Sequence, residues 1–351
     1  MNHQGRTSSI AARQTASSKL SAINKSRRVL HEANSKANLN ILNLNNKPPI
    51  GLSVHPNLLE SDEDEEMEIE NDDSMSSQSL EPIRLGSPLD TQEVYEYDLE
   101  IFNFMKTYEN DNLPSPNLFE IQTNITSKMR ATVIDWLVEV HKKLKMHTDT
   151  LYLTVYLMDS YLSMFDLDKS KYQRLGCAAL LIASKSEEIY PPSVHDLVEL
   201  TEKSFTTIAL SRMEALLFAS VNFHVNPILP PQFLKRFLRV IRTDLVLSML
   251  SYFILETSLL DPSFIGSTPS LLAASAICLA MTIQNGPGQW TTYMETNTGF
   301  ALEEITPMVD RLLQCVNNYR ASRFPTVRKK YSSAAMGSVS KIAFPEAIKL
   351  I

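Results

Sequence analysis

Two stretches of small and aliphatic residues, GCAALLIASK at 176–185 and AASAICLAMT at 273–282, limit this chain more than any other feature. Neither alternates polar and apolar residues as a half-buried strand would. Small residues along a helix let neighbouring helices approach closely, so each stretch predicts the central helix of its own bundle. The two correspond at a separation of 97 residues: Ala179 and Ala183 match Ala276 and Ala280, and Ile182 matches Leu279. Leu216-Leu217 recurs 96 residues later as Leu312-Leu313. Such internal correspondence reads as a duplication.

The flanking segments carry helical spacing. Tyr97, Ile101 and Phe104 stand at i, i+4, i+7 and predict a first amphipathic helix, broken by NLPSPN at 112–117. A helix over about 128–145 follows, capped by Thr126 or Ser127, then one at 151–165. Ser170 is read as the cap of a fourth, which runs to about Glu188 and stops before Pro191-Pro192. Helices near 193–201 and 205–220 complete the first series. After the Pro-rich joint NPILPP (226–231), a second series covers 231–241, 244–260, 268–284, about 290–296 and 302–319. No segment reads as a strand. The predicted fold is all-α: two tandem five-helix bundles preceded by an N-terminal helix and a disordered tail. The expected divisions are a tail at 1–89, the leading helix with the first bundle at 90–225, the second bundle at 226–335, and a C-terminal tail at 336–351.

A total of 351 residues suits two domains plus tails, and the 44% hydrophobic and 21% charged content suits a soluble globular protein. No apolar run reaches membrane-spanning length; Leu271–Ile283 is too short and contains Ser275 and Thr282. MNHQGRTSSIAARQ has no apolar signal core, so the expected setting is intracellular. Cys177, Cys278 and Cys315 lie far apart in apolar helical stretches and are expected to be buried thiols. No metal, nucleotide or nucleophile motif is present, so no cofactor and no catalytic site is expected.

The net charge of −7 conceals a dipolar tail. Residues 1–48 carry Arg6, Arg13, Lys19, Lys25, Arg27, Arg28, Lys36 and Lys47 against Glu32, whereas ESDEDEEMEIENDD (60–73) holds ten acids and no base. Such segments cannot bury enough apolar surface to order themselves. They read as a solvated linker or as a regulated tail. Ser87-Pro88 and Ser115-Pro116 suit proline-directed kinases, and Ser61 precedes acids.

The segment SKMRATVIDWLVEVHKKLK (127–145) has too many apolar residues for one face. On a helical wheel Val133, Ile134, Leu137, Val140 and Leu144 form one stripe, which should face the core. Met129, Thr132, Trp136 and Glu139 form a second, displaced stripe. From periodicity, Trp136 is either core filling at the flank or part of an exposed surface.

MRATVIDWLVEVHKKLK resembles the MRAIL-type motif that opens the cyclin box. LYLTVYLMDSYLS, LIASKSEEIYPP and RMEALLFASVNF follow in the order and spacing of cyclins that drive S phase and mitosis, and PPQFLKRFLRV resembles the FLRR-type segment of B-type cyclins. SLLDPSF and KKYSS also fit. The resemblance spans about residues 90–335 and leans to the B type.

That resemblance implies a non-catalytic subunit that binds and activates a cyclin-dependent protein kinase. It implies kinase contacts at Lys185 and Glu214, on the leading helix at Tyr97, Ile101 and Phe104, and at Glu187, Glu188, Ile189 and Phe223. Without it, Lys185 reads as a solvated helix end, Glu214 as a local pairing residue, and the leading stripe as bundle packing. Thr282 stands where the second bundle would need Lys185, so the first bundle should carry the kinase. The resemblance further implies a docking patch for Arg-x-Leu substrates or inhibitors, formed by Met129, Thr132, Val133, Trp136, Glu139, Tyr172 and Gln173. Thr132 and Tyr172 depart from the usual aliphatic residues. Arg27 and Leu30 form an RxxL like a destruction box, although Ser35 occupies the place where Asn is usual. This implies recognition by a ubiquitin ligase, with Lys19, Lys25 and Lys36 as acceptors. Nuclear and cytoplasmic residence follows from the role, since KSRR (25–28) is a poor import signal. The alternatives are a transcription-type cyclin or a cyclin-fold general transcription factor. The latter would need a basic surface, which residues 90–351 lack, so no nucleic acid and no membrane is expected as partner.

Overall fold

The computed structural model describes residues 82–89, 93–241 and 243–350. The expected tail, including its charge blocks, Arg27 and Leu30, lies outside them apart from residues 82–89. Thirteen α-helices are present among the described residues, and no strand. They are α1 (Asp98–Tyr108), α2 (Leu118–Ile121), α3 (Ser127–Lys143), α4 (Thr148–Leu162), α5 (Tyr172–Glu187), α6 (Val194–Leu200) and α7 (Thr207–Ser220). The second series is α8 (Pro230–Val240), α9 (Leu245–Ser258), α10 (Pro269–Asn285), α11 (Thr292–Thr298), α12 (Leu302–Ala321) and α13 (Thr326–Lys330).

The two small-residue stretches occupy α5 and α10, each packed against several helices of its own series: α3, α4 and α7 around α5, and α8, α9 and α12 around α10. Every residue from Leu175 to Ser184 is buried, as is every one from Leu272 to Ala280. Close approach explains the small side chains: a Cβ on Gly176 would lie 3.3 Å from Val133 Cγ1. Each fully buried Leu in these cores contributes about 1.5–3 kcal/mol by leaving water. The thiols sit in the same cores, and burial pushes Cys177 and Cys278 up to about 12.

Local signals set the helix starts. Thr126 Oγ1 accepts the Met129 amide (3.3 Å) and caps α3 as expected. Ser170 does not cap α5. Asp168 accepts the Ser170 amide at 2.8 Å, a 3-10 turn intervenes, and α5 begins at Tyr172. Short α2 and α13 were not expected, because helices of one turn carry no periodicity.

The wheel of α3 is right about Ile134, Leu137 and Val140, all buried, but the buried surface is wider. Arg130, Ala131, Val138 and His141 are buried too. Arg130 makes a two-pronged ion pair with Asp159 of α4 (2.8 and 2.7 Å) and donates to the Leu259 carbonyl beyond α9 (2.8 Å). Burial alone would lower the Arg130 pKa; the adjoining Asp159 carboxylate more than offsets this and raises it. Asp135 accepts both the amide and the hydroxyl of Thr326, at 3.1 and 2.8 Å. The first bundle is thus fastened to the second by its opening helix.

The stretch after residue 335 folds back rather than trailing. Val339 is fully buried, and Phe344 packs on Phe253 at 6.1 Å between ring centroids. Beneath it lies a buried pair, Lys330 to Glu256 at 2.7 Å, with the Tyr331 hydroxyl on the same carboxylate oxygen (2.9 Å).

His141 reports on this region. Its Nε2 contacts the His147 carbonyl at 2.7 Å, and its Nδ1 is buried without a partner. Burial lowers its pKa, and Lys330 lowers it further against the opposing pull of Glu256 and Glu188. The folded chain keeps His141 neutral where the unfolded chain takes up a proton, so this contribution is complete above about pH 6.5 and lost as pH falls below it. Denaturant titrations between pH 7 and 5 should therefore show a fall of up to about 1.4 kcal/mol per pH unit from this group. His141→Gln, which keeps a donor for the His147 carbonyl, should flatten that slope. The same slope in both proteins would refute the assignment.

Candidate functional site

The buried run of α5 ends at Lys185, the first exposed residue after Ser184. Its ammonium meets Glu214 Oε1 of α7 at 2.5 Å. Lys185 is half exposed and the Glu214 side chain 19% exposed, so the pair sits at a surface and is not solvated freely. Glu214 makes no local pair; it reaches across helices. In the second bundle Thr282 is buried and donates to the Cys278 carbonyl, so no equivalent pair forms.

Large apolar side chains stand in water around this pair. Ile189 and Tyr190, just past α5, are 84% and 92% exposed. On α7, Ile208 and Phe218 point outward. Asn222 and Phe223 both adopt left-handed backbone (φ 52° and 62°), which lifts Phe223 out, with its ring edge-on to Phe218 at 5.0 Å.

The leading helix also leaves its apolar stripe exposed. Tyr97, Ile101, Phe104 and Tyr108 are all between 47% and 59% exposed. The side that packs is the other one: Phe102 is buried, with Phe233 and Phe237 about it at 6.2 and 6.1 Å. Asp98 pairs with Arg236, and Glu109 accepts the amide and hydroxyl of Ser270 (2.7 and 2.8 Å). The stripe therefore does not serve as bundle packing. A cleft of about 200 Å³ joins the segment after α1 to the Phe223 turn, lined by Asn112, Leu113, Pro114, Tyr156, Asn222 and His224 among others.

Two expected residues are differently placed. Glu188 is not a free contact: its carboxylate accepts the His147 amide (2.8 Å) and the Thr150 hydroxyl, which anchors the start of α4. Glu187 beside it stays exposed. Tyr172, expected in the docking patch, is 2% exposed, because it opens α5 with its ring turned into the core. The remaining patch residues share a surface strip along α3 and the start of α5. Thr132 and Glu139 are exposed, while Met129, Val133, Trp136 and Gln173 are half-buried. Arg323 reaches to 3.5 Å from the Thr132 hydroxyl. Sequence reasoning missed Tyr108, Tyr190, Ile208 and Phe218. Tyr108 continues the Phe104 stripe by four residues, which was a usable signal.

Among the described residues no cluster of His, Cys, Asp and Glu could hold a metal ion, and no helix is long and apolar enough to cross a membrane. The arrangement is that of two helical bundles with large apolar side chains exposed on the helices that carry the Lys185–Glu214 pair. The cyclin N-terminal domain matches residues 100–226 and the cyclin C-terminal domain residues 228–345. The chain belongs to the cyclin family. It is 32% identical to cyclin-B2-1 of Oryza sativa subsp. japonica over 78% of this chain and 64% of that protein. It is 36% identical to cyclin-A1 of Rattus norvegicus over 80% and 66%. The chain thus spans just under two thirds of the length of these relatives. The X-ray structure of a viral cyclin from herpesvirus saimiri shares the fold, with TM-score 0.54 and 21% identity, over 62% of this chain and 99% of that one.

Proposed function

We propose that this chain is the non-catalytic regulatory subunit of a cyclin-dependent protein kinase, acting in S phase or at G2–M. The supporting observation is the exposed apolar surface around Lys185–Glu214 and along α1. Large apolar side chains exposed in this number are costly in a chain that acts alone and suit an interface. A protein kinase becomes active when its αC helix is placed so that its Lys–Glu pair forms and its phosphates and metal align. A bundle that binds only that placement shifts the kinase toward it by its differential affinity. Lys185 and Glu214, already desolvated in part and held by each other, are pre-positioned to bond a partner backbone at low ordering cost.

Substrates would be recruited through the Trp136 strip, whose apolar floor suits a leucine and whose Glu139 suits an arginine. Tethering then raises the local substrate concentration. The test uses the full chain mixed with a mitotic cyclin-dependent kinase catalytic subunit. A one-to-one complex should form on size-exclusion chromatography. Trp136→Ala should leave that complex intact while raising KM for an Arg-x-Leu-bearing substrate about 10- to 100-fold. No complex would sink the kinase reading; a complex with unchanged KM would sink the docking reading alone.

The N-terminal tail would time the protein's removal through Arg27, Leu30 and a ubiquitin ligase. A chain lacking residues 1–48 should persist through mitotic exit, and an unaltered half-life in synchronised cells would rule this out. The role places the protein in nucleus and cytoplasm, which imaging of a tagged chain would check; exclusion from the nucleus would count against it.

A further inference from the structure

Ahead of α1 runs a segment that the proposed function leaves without a task. It lies on α8 and α11, held by a series of polar contacts. The Ile83 amide donates to Asn297 Oδ1 (2.8 Å), a residue 2% exposed, and the Ile83 carbonyl accepts from Arg236 (3.2 Å). Asp98 pairs with Arg236 and accepts the Leu85 amide at 2.8 Å. Glu93 is the clasp: one carboxylate oxygen accepts from Arg239 (2.6 Å), the other from the Ser87 amide (2.8 Å). Gly86 permits this closure. It sits at φ +99°, and a Cβ there would lie 3.2 Å from Glu93. Ser87 precedes Pro88, and among the described residues its hydroxyl accepts the Leu89 amide, at 3.2 Å.

We infer that Ser87 is a phosphorylation site for a proline-directed protein kinase, and that the phosphate opens the Glu93 clasp and loosens the entry to α1. The γ-phosphoryl group of Mg-ATP would pass to Ser87 Oγ: that O–P bond forms, the bond to the ADP oxygen breaks, and the hydroxyl proton leaves to the kinase's base. The product carries about −1.5 to −2 charge next to the carboxylate that holds its own amide. Among the described residues the cations beside it already have partners: Arg239 bonds Glu93, and Arg84 the Glu96 carbonyl and the Tyr95 ring. Repulsion therefore acts on the contact that closes the strap. The other Ser-Pro site is placed differently. The Ser115 amide is fixed by Ser163 Oγ (2.9 Å), and the preceding Pro114 is buried, its carbonyl 2.8 Å from where a Cβ on Gly266 would stand.

As regulation of a kinase-contact surface this rests on the reading of α1 given above, so the decisive measurement omits any bound partner. The full chain is treated with a purified proline-directed kinase and Mg-ATP, mapped by peptide mass, and followed by hydrogen exchange over residues 82–97. Wild type should carry phosphate on Ser87, and exchange across the strap should rise roughly tenfold. Ser87→Ala should show no rise, and Glu93→Gln, which lacks the repelling charge, a smaller one. An unmodified Ser87 beside a modified Ser-Pro elsewhere would overturn the proposal. So would unchanged exchange, or slowed exchange from capture of the phosphate by Arg239 or Arg84. None of these outcomes depends on whether the unmodified chain activates a kinase.

Discussion

Arg130→Ala should destabilise the protein by about 3–5 kcal/mol, a loss of roughly 10 °C in Tm. The guanidinium is almost fully buried, and its three bonds tie α3, α4 and the end of α9 together. Removing it leaves Asp159 buried without a counter-charge and the Leu259 carbonyl without its donor, and each loss carries a desolvation penalty. The cost therefore comes from what is left behind more than from the strength of the pair. Arg130→Met with Asp159→Leu should recover most of the stability, because replacing both charges leaves nothing to desolvate. Equilibrium urea unfolding of the three proteins measures this directly. A single-variant loss under 1 kcal/mol would mean that water reaches the site.

Lys185→Ala with Glu214→Ala should leave the unfolding free energy within about 1 kcal/mol of wild type, since partly exposed pairs contribute little to folding. The same double variant should weaken kinase binding by about 1.5–3 kcal/mol for each hydrogen bond that the two charges give the partner. Calorimetric titration of the kinase subunit separates the two effects. If stability fell and affinity held, the pair would be a strut of the first bundle and nothing more.

The duplication was legible because small residues at a helix–helix contact leave a direct mark on sequence: Ala179 and Ala183, Ala276 and Ala280 all ended in closely packed central helices. So was the inner stripe of α3. The rest of α3 was hidden for a physical reason. Arg130 and Asp135 look like surface residues until Leu259 and Thr326 arrive from more than a hundred residues away. Periodicity also reveals that α1 has an apolar stripe without saying which side is buried. Here Phe102, with Asp98 and Glu109, takes the inner side and leaves Tyr97, Ile101 and Phe104 outside. Glu188 and Tyr172 were misplaced likewise, one by an amide 41 residues earlier, the other by the rotation of α5. Lys185 and Glu214 were each named as kinase contacts from the resemblance to cyclins, but their pairing with each other across helices was not read from the sequence, where spacing alone left both as ordinary surface charges.

The most direct measurement is phosphate transfer by a mitotic cyclin-dependent kinase subunit to a Ser-Pro peptide, with and without the full chain. Strong stimulation by the wild-type chain, lost with Lys185→Ala/Glu214→Ala at undiminished Tm, is the predicted result. A folded chain that binds the kinase but leaves its rate unchanged would contradict the activating role.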